Sequence, residues 1–318
     1  FNERKLYKRS DVYKRHYSKA GGTFTKENTV KRAGRVRQKK NPYMACPFLF
    51  DWQTTAGAFS DLDFFWKICY NKINRVRPRT GERSTMENIL ECMGLTKDYK
   101  GIRALDNLTF SVPDRGCIVG LLGPNGSGKT TFIKLLTGLL TPTSGQIRIA
   151  GLPVGTETKS VVAYLPDSNF LSDGFTVQEE IQYYKDFFED FDEEKAKTMI
   201  AELGVNPTQK VRALSKGTKE KLGLLLTLAR NAKLFILDEP IAGVDPAARD
   251  YILKTIVSHK NADATMIICT HLIGDIEPVL DYVLFLQNGK VVLQGGANEI
   301  RKGEGKTIDQ LFREVFRW

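Results

Sequence analysis

Eight consecutive residues of this 318-residue chain have the types and spacing of a loop that binds phosphate groups. They fit the pattern G-x-x-x-x-G-K-[ST] at every fixed position: Gly123, Pro124, Asn125, Gly126, Ser127, Gly128, Lys129 and Thr130. Glycines let consecutive backbone N–H groups point at phosphate oxygens, and the helix expected next adds the positive end of its dipole. Lys129 can then neutralise β- and γ-phosphate charge, Thr130 can bind Mg²⁺, and Thr131 is expected to support the α-phosphate. The pattern predicts a nucleotide site, which kinases, GTPases and helicases share.

Two adjacent carboxylates, Asp238 and Glu239, end an apolar run that begins at Leu234. Such a run is typical of a buried parallel strand that brings side chains to the carboxyl edge of a sheet. Asp238 is the expected Mg²⁺ partner, directly or through water, and Glu239 is the candidate general base for the attacking water. The alternative is a pair of solvated carboxylates, which would not explain why the run is apolar up to them.

The elements expected to position these residues are short strands alternating with helices, as an α/β domain requires. A helix is predicted at Thr130–Leu139, and the stretch from about Thr176 to Ala232 has the character of a helical insertion. A terminal hairpin is predicted because Asn288-Gly289 favours a two-residue turn. The predicted strands are Ile89–Met93, Leu108–Val112, Cys117–Leu122, Gln146–Ile149, Ser160–Leu165, Leu234–Leu237, Thr265–Thr270, Tyr282–Gln287 and Lys290–Gln294.

Between the two motifs lies a segment in which the sequence resembles the ABC ATPases. Their signature is L-S-G-G-Q, with which Leu214, Ser215 and Gly217 agree, whereas Lys216 and Thr218 depart. In that family the signature binds the γ-phosphate of ATP held by the other subunit, and the resemblance implies this role for Ser215 and Gly217. The departures resemble the L-S-x-G-x-K form of ATPases that serve ABC-2-type permeases, including antibiotic-export systems. The same residues also suit an ordinary helix N-cap.

The resemblance implies roles for four further residues. Tyr99 stands where the family stacks an aromatic ring on adenine, a contact of roughly 1–3 kcal/mol. Asp245 matches the D-loop that faces the partner subunit, and His271 matches the switch histidine that contacts the γ-phosphate. Asp167 departs from the pattern, because the family has a glutamine there that contacts Mg²⁺ and the attacking water. A carboxylate can still face the metal, but it brings charge and a shorter reach.

The resemblance covers residues 86–318 and implies a P-loop NTPase core with a mostly parallel sheet, an antiparallel β-subdomain and a helical subdomain at about 168–232. The implied activity is ATP hydrolysis with ATP and Mg²⁺ as cofactors. The implied assembly is a homodimer, or a pair with another ABC ATPase, that sandwiches two nucleotides and drives separately encoded integral membrane permease subunits, as an exporter. Residues around Phe170–Gln182 are the expected permease contact. We expect a cytoplasmic protein, peripheral on the inner face of the cell membrane.

Charge divides the chain into two parts. Residues 1–85 carry 20 Lys+Arg against 7 Asp+Glu, whereas residues 86–318 carry 27 against 30. We interpret 1–85 as a basic, disordered leader. One hypothesis makes Met86 the natural start and 1–85 translated upstream DNA, because residues 81–85 can be back-translated to contain AAGGAG, a bacterial ribosome-binding sequence. The alternative is a real arm that binds nucleic acid, which its arginines and lysines permit electrostatically.

A rival function is a non-transport ABC ATPase that acts on nucleic acid or ribosomes. Chromosome-type members insert a long coiled coil between the loop and the signature, whereas Lys129 and Ser215 are 86 positions apart here. Ribosome-associated members carry two such domains in one chain, and this sequence has one. The five cysteines contain no C-x-x-C pair, which argues against a zinc site. No run approaches the ~20 apolar residues of a spanning helix.

Overall fold

The computed structural model describes residues 88–316, so the basic leader and the Met86 start lie outside the described residues. The described helices are α1 (Lys129–Leu136), α2 (Val177–Phe187), α3 (Glu193–Glu202), α4 (Lys216–Leu228), α5 (Pro246–His259), α6 (Ile273–Ile276), α7 (Ala297–Glu304) and α8 (Ile308–Val315). The described strands are β1 (Asn88–Tyr99), β2 (Ile102–Pro113), β3 (Ile118–Leu122), β4 (Ser144–Ile149), β5 (Leu152–Pro153), β6 (Val162–Leu165), β7 (Leu234–Asp238), β8 (Thr265–Cys269), β9 (Tyr282–Gln287) and β10 (Lys290–Gly296).

A six-stranded sheet with the order β10-β9-β3-β8-β7-β6 carries the residues of chemical interest. Its strands pair in parallel, except that β10 pairs with β9 in antiparallel fashion. Every residue of β3, β7 and β8 is buried, as expected of apolar strands covered on both faces. Because these strands run in one direction, the residues that follow β3, β6, β7 and β8 meet at one edge of the sheet.

A second, antiparallel sheet has the order β2-β1-β4-β5 and shares its apolar core with the α1 helix. The rings of Phe110 on β2 and Phe132 on α1 lie 5.6 Å apart. Strands β1 and β2 are longer than predicted, since pairing continues up to Tyr99 and Ile102 across a two-residue turn. Tyr99 therefore ends a strand. The α1 helix packs against both sheets through this shared core.

Helices α2, α3 and α4 lie within residues 168–232 and pack on the other face of the six-stranded sheet. Each begins at a capping side chain, because Thr176, Asp192 and Ser215 accept hydrogen bonds from amides in the first turn. A guanidinium is buried below them: Arg230 pairs with Asp190 at 2.9 Å and lies 4.1 Å from the ring centroid of Phe188. The Ser215 cap fixes the start of α4, and the buried pair lies just beyond its end.

Several predicted boundaries were wrong by one or more residues. The helix predicted to reach Leu139 ends at Leu136, because Gly138 adopts a left-handed conformation with φ 71°. The strand predicted from Ser160 begins at Val162 because residues 157–160 form a 3₁₀ turn. The last predicted strand residue, Thr270, lies beyond β8. None of the helices described between residues 88 and 316 is long and apolar enough to cross a membrane.

Candidate functional site

The predicted phosphate loop joins β3 to α1. Lys129 is buried, and its Nζ donates to the backbone carbonyls of Gly123 at 2.6 Å and Pro124 at 3.0 Å. Gly128 has φ 107°, and a Cβ there would lie 2.6 Å from the carbonyl oxygen of Ala104, so this position needs glycine. The loop therefore wraps tightly around an ammonium group at the start of a helix.

These residues fit a bound triphosphate. The Ser127 hydroxyl is buried and has no hydrogen-bond partner among the described residues. The present partners of Lys129 are carbonyls of its own loop, which phosphate oxygens can replace as acceptors. Asn125, Gly126 and Thr130 are exposed at the mouth of the loop. The site thus offers one ammonium, one free hydroxyl and accessible amides to an anionic ligand.

Glu239 follows β7 and is held by two residues that follow β8. Its Oε2 accepts a hydrogen bond from the Thr270 hydroxyl at 2.8 Å, and its Oε1 lies 3.0 Å from His271 Nδ1. The backbone of Glu239 has φ 50°, and its amide donates to the carbonyl of Cys269 at 2.7 Å. A non-glycine residue at positive φ is strained, and such strain clusters at functional sites. The carboxylate is therefore aimed by its neighbours, and it keeps oxygen lone pairs for a water molecule.

Asp238 precedes Glu239 and is buried at the end of β7. The pKa of its carboxyl is raised from the ordinary 3.8 to about 6, mainly by burial and in smaller part by the charges of Asp167 and Glu239. The hydrogen-bonded thiol of Cys269 and the charge of Lys129 act in the opposite direction. A buried carboxylate among other carboxylates needs a cation, so the donor set fits Mg²⁺.

The thiol of Cys269 is a neighbour that the sequence reasoning missed. Cys269 pairs with Asp238 across the β7–β8 ladder, and burial raises the pKa of the thiol, which keeps it protonated as a hydrogen-bond donor. Its only signal in the sequence was its position two residues before His271. The contact depends on strand register, which local patterns do not contain.

The raised pKa of Asp238 predicts how stability depends on pH. Between the ordinary value and about 6 the folded protein holds a proton that the unfolded chain has lost, so stability falls as pH rises through this window. Without nucleotide and metal, the unfolding free energy of the wild type relative to Asp238→Asn should fall by about 1 kcal/mol between about pH 5 and pH 7. Urea denaturation of both proteins at each pH measures it. A difference that stays constant with pH would contradict the assignment.

Asp167 lies beyond β6 at the level of Glu239, because Leu165 pairs with Leu237 on the neighbouring strand. It is exposed and borders a cavity of about 680 Å³ between the sheet edge and the α4 helix. The cavity is lined by Asp167, Phe170, Lys216, Lys219, Asp238 and Glu239, among others. The structure therefore brings three acidic residues together, although they come from two strands that lie far apart in the sequence.

The signature residues lie at the other side of this cavity. Ser215 caps α4, accepting from the Thr218 amide at 3.2 Å, and no atom lies within 4 Å of a Cβ built at Gly217. Leu214 and Lys216 line the cavity, whereas the phosphate loop does not. Within the part of the chain that the structure describes, no hydrogen bond joins Ser215 or Gly217 to the loop. The exposed start of α4 is free to meet a ligand from outside the protomer.

Two further predicted residues lie at exposed positions. Tyr99 is 40% exposed at the end of β1, with the Lys97 ammonium 5.3 Å from its ring centroid. Asp245 is exposed, and its carbonyl accepts from the Arg249 amide at 3.0 Å in the first turn of α5. Arg249 in turn pairs with Asp275 at 2.8 Å. An exposed ring suits a stacking contact, and the loop of Asp245 is braced against α6.

A strand, a phosphate loop and a helix beside a parallel strand that ends in two carboxylates define a P-loop NTPase. The family model described as ABC transporter matches residues 105–242. Over 221 residues the chain is 31% identical to the uncharacterised ABC transporter ATP-binding protein YhaQ of Bacillus subtilis, covering 67% of this chain and 72% of that protein. It is 30% identical to the Nod factor export ATP-binding protein I of Neorhizobium galegae, covering 70% of this chain and 66% of that protein. The chain belongs to the ABC transporter ATP-binding proteins.

A solved structure agrees with this assignment. The structure of an ATP binding subunit of an ABC transporter superposes with a TM-score of 0.66 at 30% identity, covering 72% of this chain and 100% of that one. The predicted family, fold class and enzyme class are confirmed: the protein is an ABC ATPase with a P-loop fold and mixed α/β sheets. Such subunits bind ATP, dimerise and work with membrane components.

Proposed function

We propose that two copies of this chain close over two ATP·Mg²⁺ and that closure drives separately encoded integral membrane subunits. One observation carries the proposal: the phosphate loop and the exposed start of α4 belong to the same chain but do not contact each other. A helix start with free amides and the hydroxyl of Ser215 favours an anion. A second copy with the same surfaces can supply that anion symmetrically.

Each nucleotide would be held mainly by one protomer. The ring of Tyr99 stacks on adenine, the loop amides and Lys129 bind the phosphates, and Thr131 supports the α-phosphate. Thr130 and Asp238 would hold Mg²⁺, which supplies charge neutralisation at the phosphates. Ser215 and Gly217 of the second copy contact the γ-phosphate, and Asp245 faces the dimer interface.

Hydrolysis would depend on Glu239. Its carboxylate orients the attacking water and accepts its proton, while Thr270 and His271 keep it in place. His271 is 59% exposed, so it can contact the γ-phosphate from the solvent side. Asp167 adds a third acidic group near Asp238 and Glu239, and its carboxylate would help to hold Mg²⁺ at this edge of the sheet.

The transporter is proposed to be an exporter, because relatives of this chain are Nod factor export ATP-binding proteins. The segment Phe170–Gln182 would contact the permease. Phe170 and Leu171 are buried, so the exposed residues Asp173, Gly174, Gln178 and Gln182 would form that surface. The proposed location is the cytoplasmic face of the cell membrane, where the chain would be peripheral. A nucleic-acid partner is not part of the proposal.

Mixing two defective variants tests the exchange of parts between protomers. Lys129→Ala removes the phosphate-binding ammonium and Ser215→Arg blocks the cap, so each variant alone should lack ATPase activity. A mixed dimer contains one site with both parts intact. An equal mixture should therefore regain about a quarter of the wild-type rate if chains pair at random.

The matched control mixes Lys129→Ala with the double variant Lys129→Ala, Ser215→Arg, which cannot form an intact site and should stay inactive. Phosphate release is measured for the two single variants and for the two mixtures. If the first mixture remains as inactive as the control, the two parts do not meet across a dimer and the proposed sandwich is wrong.

A further inference from the structure

The segment that follows Asp167 is attached at its far end to the α4 helix. Asp167, Ser168 and Asn169 are exposed, whereas Phe170 and Leu171 are 7% and 6% exposed. The chain thus leaves the sheet edge, crosses beside the cavity and becomes anchored within three residues. The contacts of the anchored part show what it is attached to.

The first anchor is an aromatic ring against a glycine. A Cβ built at Gly223, on α4, would lie 3.0 Å from both Cε1 and Cζ of Phe170. Because Gly223 has no side chain, the ring can press directly on the helix backbone, and any larger residue would force it to move. We call this contact the Gly223 notch.

The second anchor lies one helical turn earlier on α4. Lys219 donates to Asp173 Oδ1 at 2.7 Å, and only 18% of the lysine side chain is exposed. Ser215, Lys219 and Gly223 are spaced by four residues, so they share one face of α4. The segment after Asp167 is therefore bound to the helix face that begins at the proposed phosphate cap.

The third anchor holds the segment from the opposite side. The carboxylate of Glu180, on α2, is fully buried and accepts a hydrogen bond from the Ser172 amide. A hydrogen bond to a buried carboxylate is among the stronger ones in proteins. The segment is consequently clamped between α2 and α4, and it offers little freedom for Asp167 to move independently of α4.

We propose that Phe170 and Asp173, held by Gly223 and Lys219, are positioning residues that make Asp167 and the Ser215 end of α4 move as one body. The inference rests on the proposed function, in which Ser215 caps the nucleotide of a second copy. Nucleotide bound beside Asp167, Asp238 and Glu239 thereby affects the position of Ser215 at the start of α4. Closure of the dimer then depends on the Gly223 notch, although the notch contacts no nucleotide.

The test uses the full chain with Glu239→Gln, which should trap the ATP·Mg²⁺ dimer, and measures dimerisation by sedimentation velocity. Gly223→Ala should displace the Phe170 ring by a few tenths of an ångström and weaken ATP-driven dimerisation about tenfold. Binding of a fluorescent ATP analogue to the monomer should change less than about twofold, because no residue of the phosphate loop lines the cavity that the notch borders.

A second substitution distinguishes a positioning role of the Gly223 notch from general damage to the fold. Adding Phe170→Leu to Gly223→Ala should restore dimerisation towards the parent, because the smaller side chain makes room for the new methyl group. The matched control is Gly303→Ala, a helical glycine on α7 with nothing within 4 Å of its built Cβ, which should dimerise like the parent. Equal dimerisation of Gly223→Ala and the parent would overturn the inference, as would failure of Phe170→Leu to rescue it.

A second variant, at Lys219, tests the inference if Gly223→Ala does not fold. Lys219→Met removes the contact with Asp173 and should weaken dimerisation about two- to fivefold, and exchanging the two charges as Lys219→Asp with Asp173→Lys should restore it. An unchanged Lys219→Met dimer would overturn the inference. If the Glu239→Gln parent itself stays monomeric with ATP·Mg²⁺, the proposed function fails. If the parent dimerises and the notch variants dimerise equally well, only the inference about the notch fails.

Discussion

A Glu239→Gln variant is expected to bind ATP·Mg²⁺ as tightly as the wild type and to hydrolyse it about 10²–10⁴ times more slowly. Glutamine keeps the size of the side chain and can still meet the Thr270 hydroxyl. It cannot accept a proton from water, because a neutral amide is a far weaker base than a carboxylate. Phosphate release and equilibrium nucleotide binding, measured on the same preparation, separate the two effects.

The matched control for this experiment is Glu220→Gln. Glu220 lines the same cavity from α4, but it pairs with Lys216 and does not follow a strand of the sheet. It should hydrolyse ATP at nearly the wild-type rate. Undiminished phosphate release by Glu239→Gln would defeat the assignment of the general base.

A Lys129→Ala variant is expected to lose at least about a hundredfold in affinity for ATP·Mg²⁺. The ammonium is buried inside the loop, so its removal leaves phosphate charge without its nearest fixed counter-charge. Isothermal titration with ATP in the presence of Mg²⁺ measures the loss.

Lys134→Ala is the matched control, because Lys134 is an exposed residue in the last turn of the same helix. It removes one positive charge at a distance from the loop and should leave nucleotide affinity nearly unchanged. Thermal unfolding of both variants shows whether the fold is retained. Unchanged affinity in Lys129→Ala would exclude the loop as the phosphate site.

Much of the fold was accessible from local pattern. The buried strands β3, β7 and β8 are almost entirely apolar, as is typical of strands covered on both faces. The phosphate loop was equally accessible, because its function depends on consecutive backbone amides and on Lys129. The end of α1 was predicted too late because Gly138 adopts the left-handed conformation, with φ 71°, that commonly ends a helix, and apolar periodicity does not register this signal.

The grouping of Asp167 with Asp238 and Glu239 could not be predicted from spacing. It arises because β6 pairs with β7, which brings residues from distant parts of the chain to one level of the sheet edge. The raised pKa of Asp238 and its contact with the Cys269 thiol have the same origin. Periodicity reports which face of a strand is buried, but it does not report which strand lies beside it.

Short-range chemistry was therefore encoded in the residue order: a loop that can hold a triphosphate, a strand that ends in acids and a capped helix at Ser215. Contacts between distant segments arose on folding, including the Phe170 ring in the Gly223 notch and the hold of Thr270 and His271 on Glu239. The physical reason is that backbone conformation depends on near neighbours, whereas strand order and side-chain packing minimise the free energy of the whole domain.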